Sequence, residues 1–236
     1  MESSRRNERP KASLEARCEE VIAGFGTRVR ALMMRDDWLP TDSSPHGQAM
    51  MLRWRAGSRP SRLLRDDSFT GVAFRGLRKW RAFRGARGGV SLERFQEVLA
   101  GIDGRTLDQM ATIDIVSLHP EVDGDQLLSI LRELEDVKPT NRKWVAASKV
   151  LYLLLPDLVV PMDGSTWRFL GRVSPEGLHE GDFRYAYSTF SRIAVEADRE
   201  VGPLRDFVAP PPGSVRLGLG RLVDFAILGW MQDREG

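Results

Sequence analysis

Apolar residues recur at Leu14, Cys18, Val21, Ile22, Phe25, Val29 and Leu32, steps of three and four that predict a helix over 12–35. Gly24 and Gly26 weaken its middle and mark a break. A turn-rich link, PTDSSPHG at 40–47, leads to a short helix over 48–55. Over 69–88, Phe74, Leu77, Trp80 and Phe83 fall three apart, giving one apolar face among basic ones, and Gly88-Gly89 stops the helix. Ser91 caps SLERFQEVLAGI, Thr106 is placed to cap TLDQMATI, and Asp123 or Asp125 opens DQLLSILRELEDV with its Leu127, Leu128, Leu131, Leu134 stripe. Residues 140–155 form a helix ended by Pro156, and Asp163 opens a short one stopped by Gly171. The segment 182–202 is amphipathic, with Phe183, Tyr187, Phe190, Ile193 and Ala194 on one face. Pro210-Pro211-Pro212 is a stiff connector, and Ser214 caps a last helix running to Met231. No alternating strand pattern and no repeat is present. The pattern predicts an all-α, multi-helix globular fold of about nine or ten helices. Residues 1–11 are polar, charged and expected to be disordered, and 12–236 reads as one helical domain. A division into two lobes, basic at 12–120 and hairpin-containing at 121–236, is one way to organise it.

Composition narrows the classes. Apolar residues make up 42% and charged ones 29%, enough of each for a core and a solvated surface. One cysteine, Cys18, excludes a disulfide framework and any cysteine-built zinc or iron–sulfur site. His46, His119 and His179 lack metal-ligand spacing, so no metal or other cofactor is expected. No signal peptide opens the chain. The longest apolar run, 145–162, is interrupted by Lys149, Pro156, Asp157 and Pro161, so no membrane span is expected. These features point to a reducing, cytoplasmic setting.

The net charge of +2 conceals an asymmetry: residues 1–94 carry a net +9 and the remainder −7. Residues 53–87 alone hold 11 basic side chains against two acidic ones, Asp66 and Asp67. A basic segment of this kind suits a polyanion, and equally a solvated basic face.

The segment VKPTNRKWVAASKVLYLLLPDLVVPMDGSTWRFLG, 137–171, is the most informative. A tight basic turn, Pro139 to Lys143, joins two helices. The second is apolar on nearly every side, so it should be buried, and Lys149 inside it needs a partner or a route to water. Beyond Pro156-Asp157, Leu158-Val159-Val160 is short and extended, and Asp163 caps the next helix.

This arrangement resembles the helix-hairpin-helix DNA glycosylase superfamily. In that family a helical hairpin precedes a loop ending in Val/Ile-Pro-x-Asp, with the aspartate at a helix start. The matching residues here are Val160-Pro161-Met162-Asp163, followed by Trp167. Asn141-Arg142-Lys143-Trp144 stands where the family has its Gly-x-Gly hairpin, and Val145-Ala146-Ala147 opens the second helix. The resemblance spans 137–171 of the 236 residues.

Two departures stand out. The hairpin glycines, which let backbone N–H groups reach a phosphate, are replaced by Asn141 and Lys143. Asn tolerates left-handed geometry, and Arg142 and Lys143 can bind phosphate through their side chains. The nucleophilic lysine of lyase-type members falls at Val145, with Lys143 and Lys149 two and four residues away. The resemblance therefore implies a hydrolytic, single-function DNA N-glycosylase of the base-excision kind. Asp163 would be the essential carboxylate, stabilising an oxocarbenium-like state and orienting water. Trp144, Lys149, Tyr152 and Trp167 are candidate groups around a flipped base. Asn141, Arg142, Lys143, Arg78, Lys79, Arg81 and Arg84 are candidate DNA contacts. Read from residue pattern alone, Asp163 is better taken as a helix cap and Trp144 and Trp167 as core, and the resemblance brings the two readings level; Trp80, Phe74 or Phe83 suit base stacking, but their spacing fits a core face better. Two alternatives follow: a non-catalytic DNA-binding module on the same fold, and a helical interaction protein whose basic half meets an acidic partner. The Gly218/Gly220 pair follows no predicted strand and is no dinucleotide fingerprint.

Overall fold

The first apolar stripe folds as two helices, α1 (Leu14–Ala23) and α2 (Phe25–Met33), parted at Gly24. The computed structural model describes residues 12–35, 39–85, 89–138, 143–172, 179–207 and 213–235. The expectations for 1–11, for Gly88 and for the Pro210–Pro212 connector lie outside those residues. Next come α3 (Pro45–Arg55), a 3-10 turn at Pro60–Leu63, α4 (Asp67–Lys79), α5 (Leu92–Gly101) and α6 (Gly104–Met110). Then follow α7 (Pro120–Leu134), a 3-10 turn at Glu135–Val137 and α8 (Lys143–Leu154). The series closes with α9 (Gly164–Phe169), α10 (Glu180–Val201), α11 (Leu204–Phe207) and α12 (Leu219–Glu235). The described residues form no strand, only one isolated bridge between Thr41 and Ser214. The chain is thus all-α, with twelve α-helices among the described residues rather than nine or ten.

Several boundaries move for identifiable reasons. Thr106 does not cap α6: Asp103 does, accepting from Arg105 N at 3.0 Å, while the Thr106 hydroxyl donates to the same carboxylate. Neither Asp123 nor Asp125 caps α7, which begins at Pro120, a residue suited to the first helical position. Asp123 instead reaches back to accept from His119 N at 2.9 Å. Ser214 does not cap α12, because it pairs with Thr41 and the helix starts only at Leu219. The helix expected over 69–88 stops at Lys79, where a turn closed by Ala82 N donating to Leu77 O takes over.

α8 is the central element. Trp144, Ala146, Ala147 and every residue from Ser148 to Leu154 are buried, as an all-round apolar helix requires. It packs on α7, α4 and α3, while α12 packs on α2, α9 and α1. One hydrophobic cluster runs from Cys18 in α1 to Trp230 in α12 and draws on both halves of the chain. Among the described residues no helix is long and apolar enough to cross a membrane.

Candidate functional site

Asp163 is positioned by the segment before it. After α8 the chain turns at Pro156 and reaches Met162, whose N–H donates to Ser148 Oγ on α8 at 3.0 Å. A small side chain at 148 is what permits that approach. From the other side, α12 clamps the same segment. Asp157 Oδ1 accepts from Leu219 N at 3.1 Å, and Gly220 N donates to Pro156 O at 3.1 Å. A Cβ at Gly218 would collide with the Pro156 carbonyl, and one at Gly220 with the Val159 carbonyl. The Gly-Leu-Gly sequence therefore serves close backbone packing, which seats the start of α12 beside the chain that carries Asp163.

Asp163 itself is extended and half-buried. Its Oδ1 accepts from Ser165 N at 2.8 Å and Thr166 N at 3.3 Å, and its own N–H donates to Thr166 Oγ1 at 3.3 Å. This is a capping box with threonine in the reciprocal position. Among the described residues Oδ2 accepts no hydrogen bond.

Beside it lies a buried ionic cluster beneath Trp80. Lys149, 7% exposed, donates from Nζ to the Trp80 carbonyl at 3.3 Å and lies 4.7 Å from the centroid of its indole ring. Arg221 lies 5.1 Å from that ring and 4.6 Å from Phe225, and bonds Asp224 one turn further along α12. His46 stacks on Trp80 with centroids 5.0 Å apart, and Tyr152 meets both rings edge-on. His46 Nε2 and the Tyr152 hydroxyl are sealed from solvent with no hydrogen-bond partner among the described residues.

This environment shifts the charges it holds. Burial pushes the Lys149 ammonium below its usual range, opposed by the carboxylates of Asp163 and Asp224. Burial lifts Asp224 to about 7 against the pull of Arg221. Burial, reinforced by Arg221 and Lys149, drops His46 to about 3, so it is neutral at physiological pH. Burial also raises the Tyr152 phenol, which stays protonated.

The structure brings some of the expected residues together and scatters others. Lys149 and Tyr152 share the cluster under Trp80. Trp144 and Trp167 pack edge-to-face at 5.1 Å, only 1% and 0% exposed, within the core. Asn141 and Arg142 lie outside the described residues, and Lys143 opens α8 half-exposed. Arg78, Lys79, Arg81 and Arg84 are exposed, and none pairs with a carboxylate among the described residues. Arg78, Arg81 and Arg84 line an open cleft of about 650 Å³ with Phe83, Gly89 and Val90.

His46, Arg221 and Asp224 are absent from the residues the sequence singles out. The Arg221/Asp224 pair had a signal comparable to Lys149: charges one turn apart inside the largely apolar run LGRLVDFAIL, 219–228. His46 had none, because its partner Trp80 is 34 residues away in the chain. Among the described residues no three His, Cys, Asp or Glu side chains gather as a metal site. No protein-family model, curated protein or solved structure matches the chain.

Proposed function

We propose that this protein binds DNA and hydrolyses the N-glycosidic bond of a modified or damaged base, with Asp163 as the essential carboxylate. The observation that carries this reading is the state of the Asp163 side chain. One oxygen is fixed by two backbone amides while, among the described residues, the other accepts no hydrogen bond, at a half-buried position whose charge acts on the Lys149 ammonium. A carboxylate held this way has little freedom to reorganise, so it stabilises a cationic sugar at low cost and can orient a water toward it. The exposed Arg78 at the end of α4 and Arg81 and Arg84 just beyond it, none paired with a carboxylate among the described residues, supply phosphate contacts on the same segment that carries Trp80. The resemblance of 160–163 to Val/Ile-Pro-x-Asp adds to this reading.

A second reading, a non-catalytic DNA-binding module, is favoured by one feature: Asp163 completes a capping box and so has a structural role of its own. The two are separated by incubating the protein with duplexes carrying a panel of modified bases and then treating with alkali. Alkali-dependent strand breaks support the glycosylase. Salt-sensitive binding without breaks on any duplex supports the module.

A further inference from the structure

α4 ends in a way that leaves a left-handed position to be filled. Ala82 N donates to Leu77 O at 2.9 Å and Arg81 N to Arg78 O at 3.0 Å, the two bonds of a Schellman motif. The residue in the left-handed slot is glycine in most such ends. Here it is Arg81, with φ of 57°, the one non-glycine residue at positive φ among the described residues. Gly85 and Gly89 hold positive φ nearby with open space around them. An arginine in the left-handed conformation is strained relative to glycine, which makes its side chain a candidate for a role there.

What that side chain faces is the cleft of about 650 Å³ it lines with Arg78, Arg84, Phe83 and Val90. The volume falls within the ~300–1,000 Å³ typical of small-ligand sites. Phe83 is half-buried, and its ring is braced from behind by Phe74 at 5.5 Å and Phe95 at 6.3 Å. Three guanidinium groups and one braced aromatic wall match a phosphate joined to a flat base. A paired duplex offers such a recess only its phosphates, because its bases are stacked inside. The aromatic wall is satisfied only when a base is out of the stack.

We propose that this cleft is a binding subsite for an unpaired nucleotide, with Arg78, Arg81 and Arg84 on the phosphate and Phe83 under the base. The assignment rests on the reading of the protein as DNA-binding, and specifies single-stranded or extruded nucleotides as what the basic end of α4 recognises. It involves side chains other than Asp163 and requires no chemistry.

The test is fluorescence anisotropy of the full chain with a labelled single-stranded oligothymidylate and with a duplex of equal length, at several salt concentrations. Phe83→Leu should weaken single-strand binding about five-fold or more and leave duplex binding within about two-fold. Phe83→Tyr, which keeps the aromatic face and the packing on Phe74, should bind as the parent does. Arg84→Ala, at an exposed position, should weaken single-strand binding and lower the slope of log affinity against log salt by roughly 0.7. Competition by free thymidine monophosphate would assign the site to a mononucleotide, and its absence with the Phe83 effect intact would assign it to a strand. Equal losses on both DNAs in Phe83→Leu, or none on either, would overturn the subsite and leave a general polyanion patch. That outcome does not touch the Asp163 reading, which is measured by base release.

Discussion

Lys149 and Trp80 are joined twice: the ammonium donates to the Trp80 carbonyl at 3.3 Å and lies 4.7 Å from the centroid of its indole ring. One side chain from the central helix thus fixes both the end of α4 and the ring that covers Arg221. Replacing it with Met keeps the stem and removes both interactions. We expect Lys149→Met to cost about 1 kcal/mol in urea unfolding, the cation–π and hydrogen-bond losses exceeding the recovered desolvation. Trp80 should also become more accessible to acrylamide, an increase that Trp80→Phe in the same background removes. A more stable Lys149→Met protein would show that the ammonium is a burden rather than a clasp.

The buried titrating groups give opposite pH dependences. Asp224 is lifted from 3.8 to about 7, so the fold favours its neutral form. Its contribution is full below about pH 4 and is lost as pH rises toward 7. His46 is depressed from 6.5 to about 3, so its contribution is full above 6.5 and is lost as pH falls toward 3. The two partly cancel in the parent protein. Comparing the parent with Asp224→Asn isolates the first: the parent should lose about 1 kcal/mol or more relative to the variant between pH 5 and pH 8. A constant difference, or one of opposite sign, would contradict the burial argument.

The glycines at the start of α12 should be intolerant of a methyl group. In Gly220→Ala the new Cβ meets the Val159 carbonyl, a backbone atom that cannot swing aside. We expect a loss of roughly 2 kcal/mol or more in thermal or urea unfolding. Gly181→Ala in α10 is the control, since nothing lies near its Cβ, and it should gain about 0.4–1 kcal/mol. Similar effects at the two positions would remove the close-packing explanation for Gly-Leu-Gly.

The left-handed Arg81 separates backbone from side chain. Arg81→Gly and Arg81→Ala both remove the guanidinium and should weaken DNA binding alike. Only glycine relieves the φ of 57°, so Arg81→Gly should be about 1 kcal/mol more stable than Arg81→Ala. Equal stability would mean that the turn relaxes away from the left-handed conformation.

Most of the helical framework was legible in the sequence because it rests on periodicity. The stripes in α1, α2, α5, α7 and α10, the Ser91 and Asp163 caps, and the break at Gly24 all follow from local rules. The misplaced starts of α6, α7 and α12 have separate causes: Asp103 rather than Thr106 accepts a first-turn amide of α6, Pro120 opens α7, and Ser214 is held by its bridge to Thr41 away from the start of α12. The buried cluster is legible only in part. Lys149 announces itself as a charge in an apolar helix, but the ring above it comes from α4 and its counter-charges from α9 and α12. That juxtaposition is set by packing over long sequence distances, which no periodicity encodes. The same holds for Trp144 and Trp167, whose mutual contact is a property of α8 against α9.

The most direct test of the account is base release by Asp163→Asn. Asparagine keeps the oxygen that caps α9, so the fold should lose little stability, whereas Asp163→Ala should lose about 1 kcal/mol with the cap. Assayed on a duplex whose modified base the parent protein releases, with alkali to reveal abasic sites, Asp163→Asn should show no strand breaks and unchanged DNA binding. Base release by Asp163→Asn equal to the parent's would contradict the assignment of Asp163 as the essential carboxylate and leave it a helix cap.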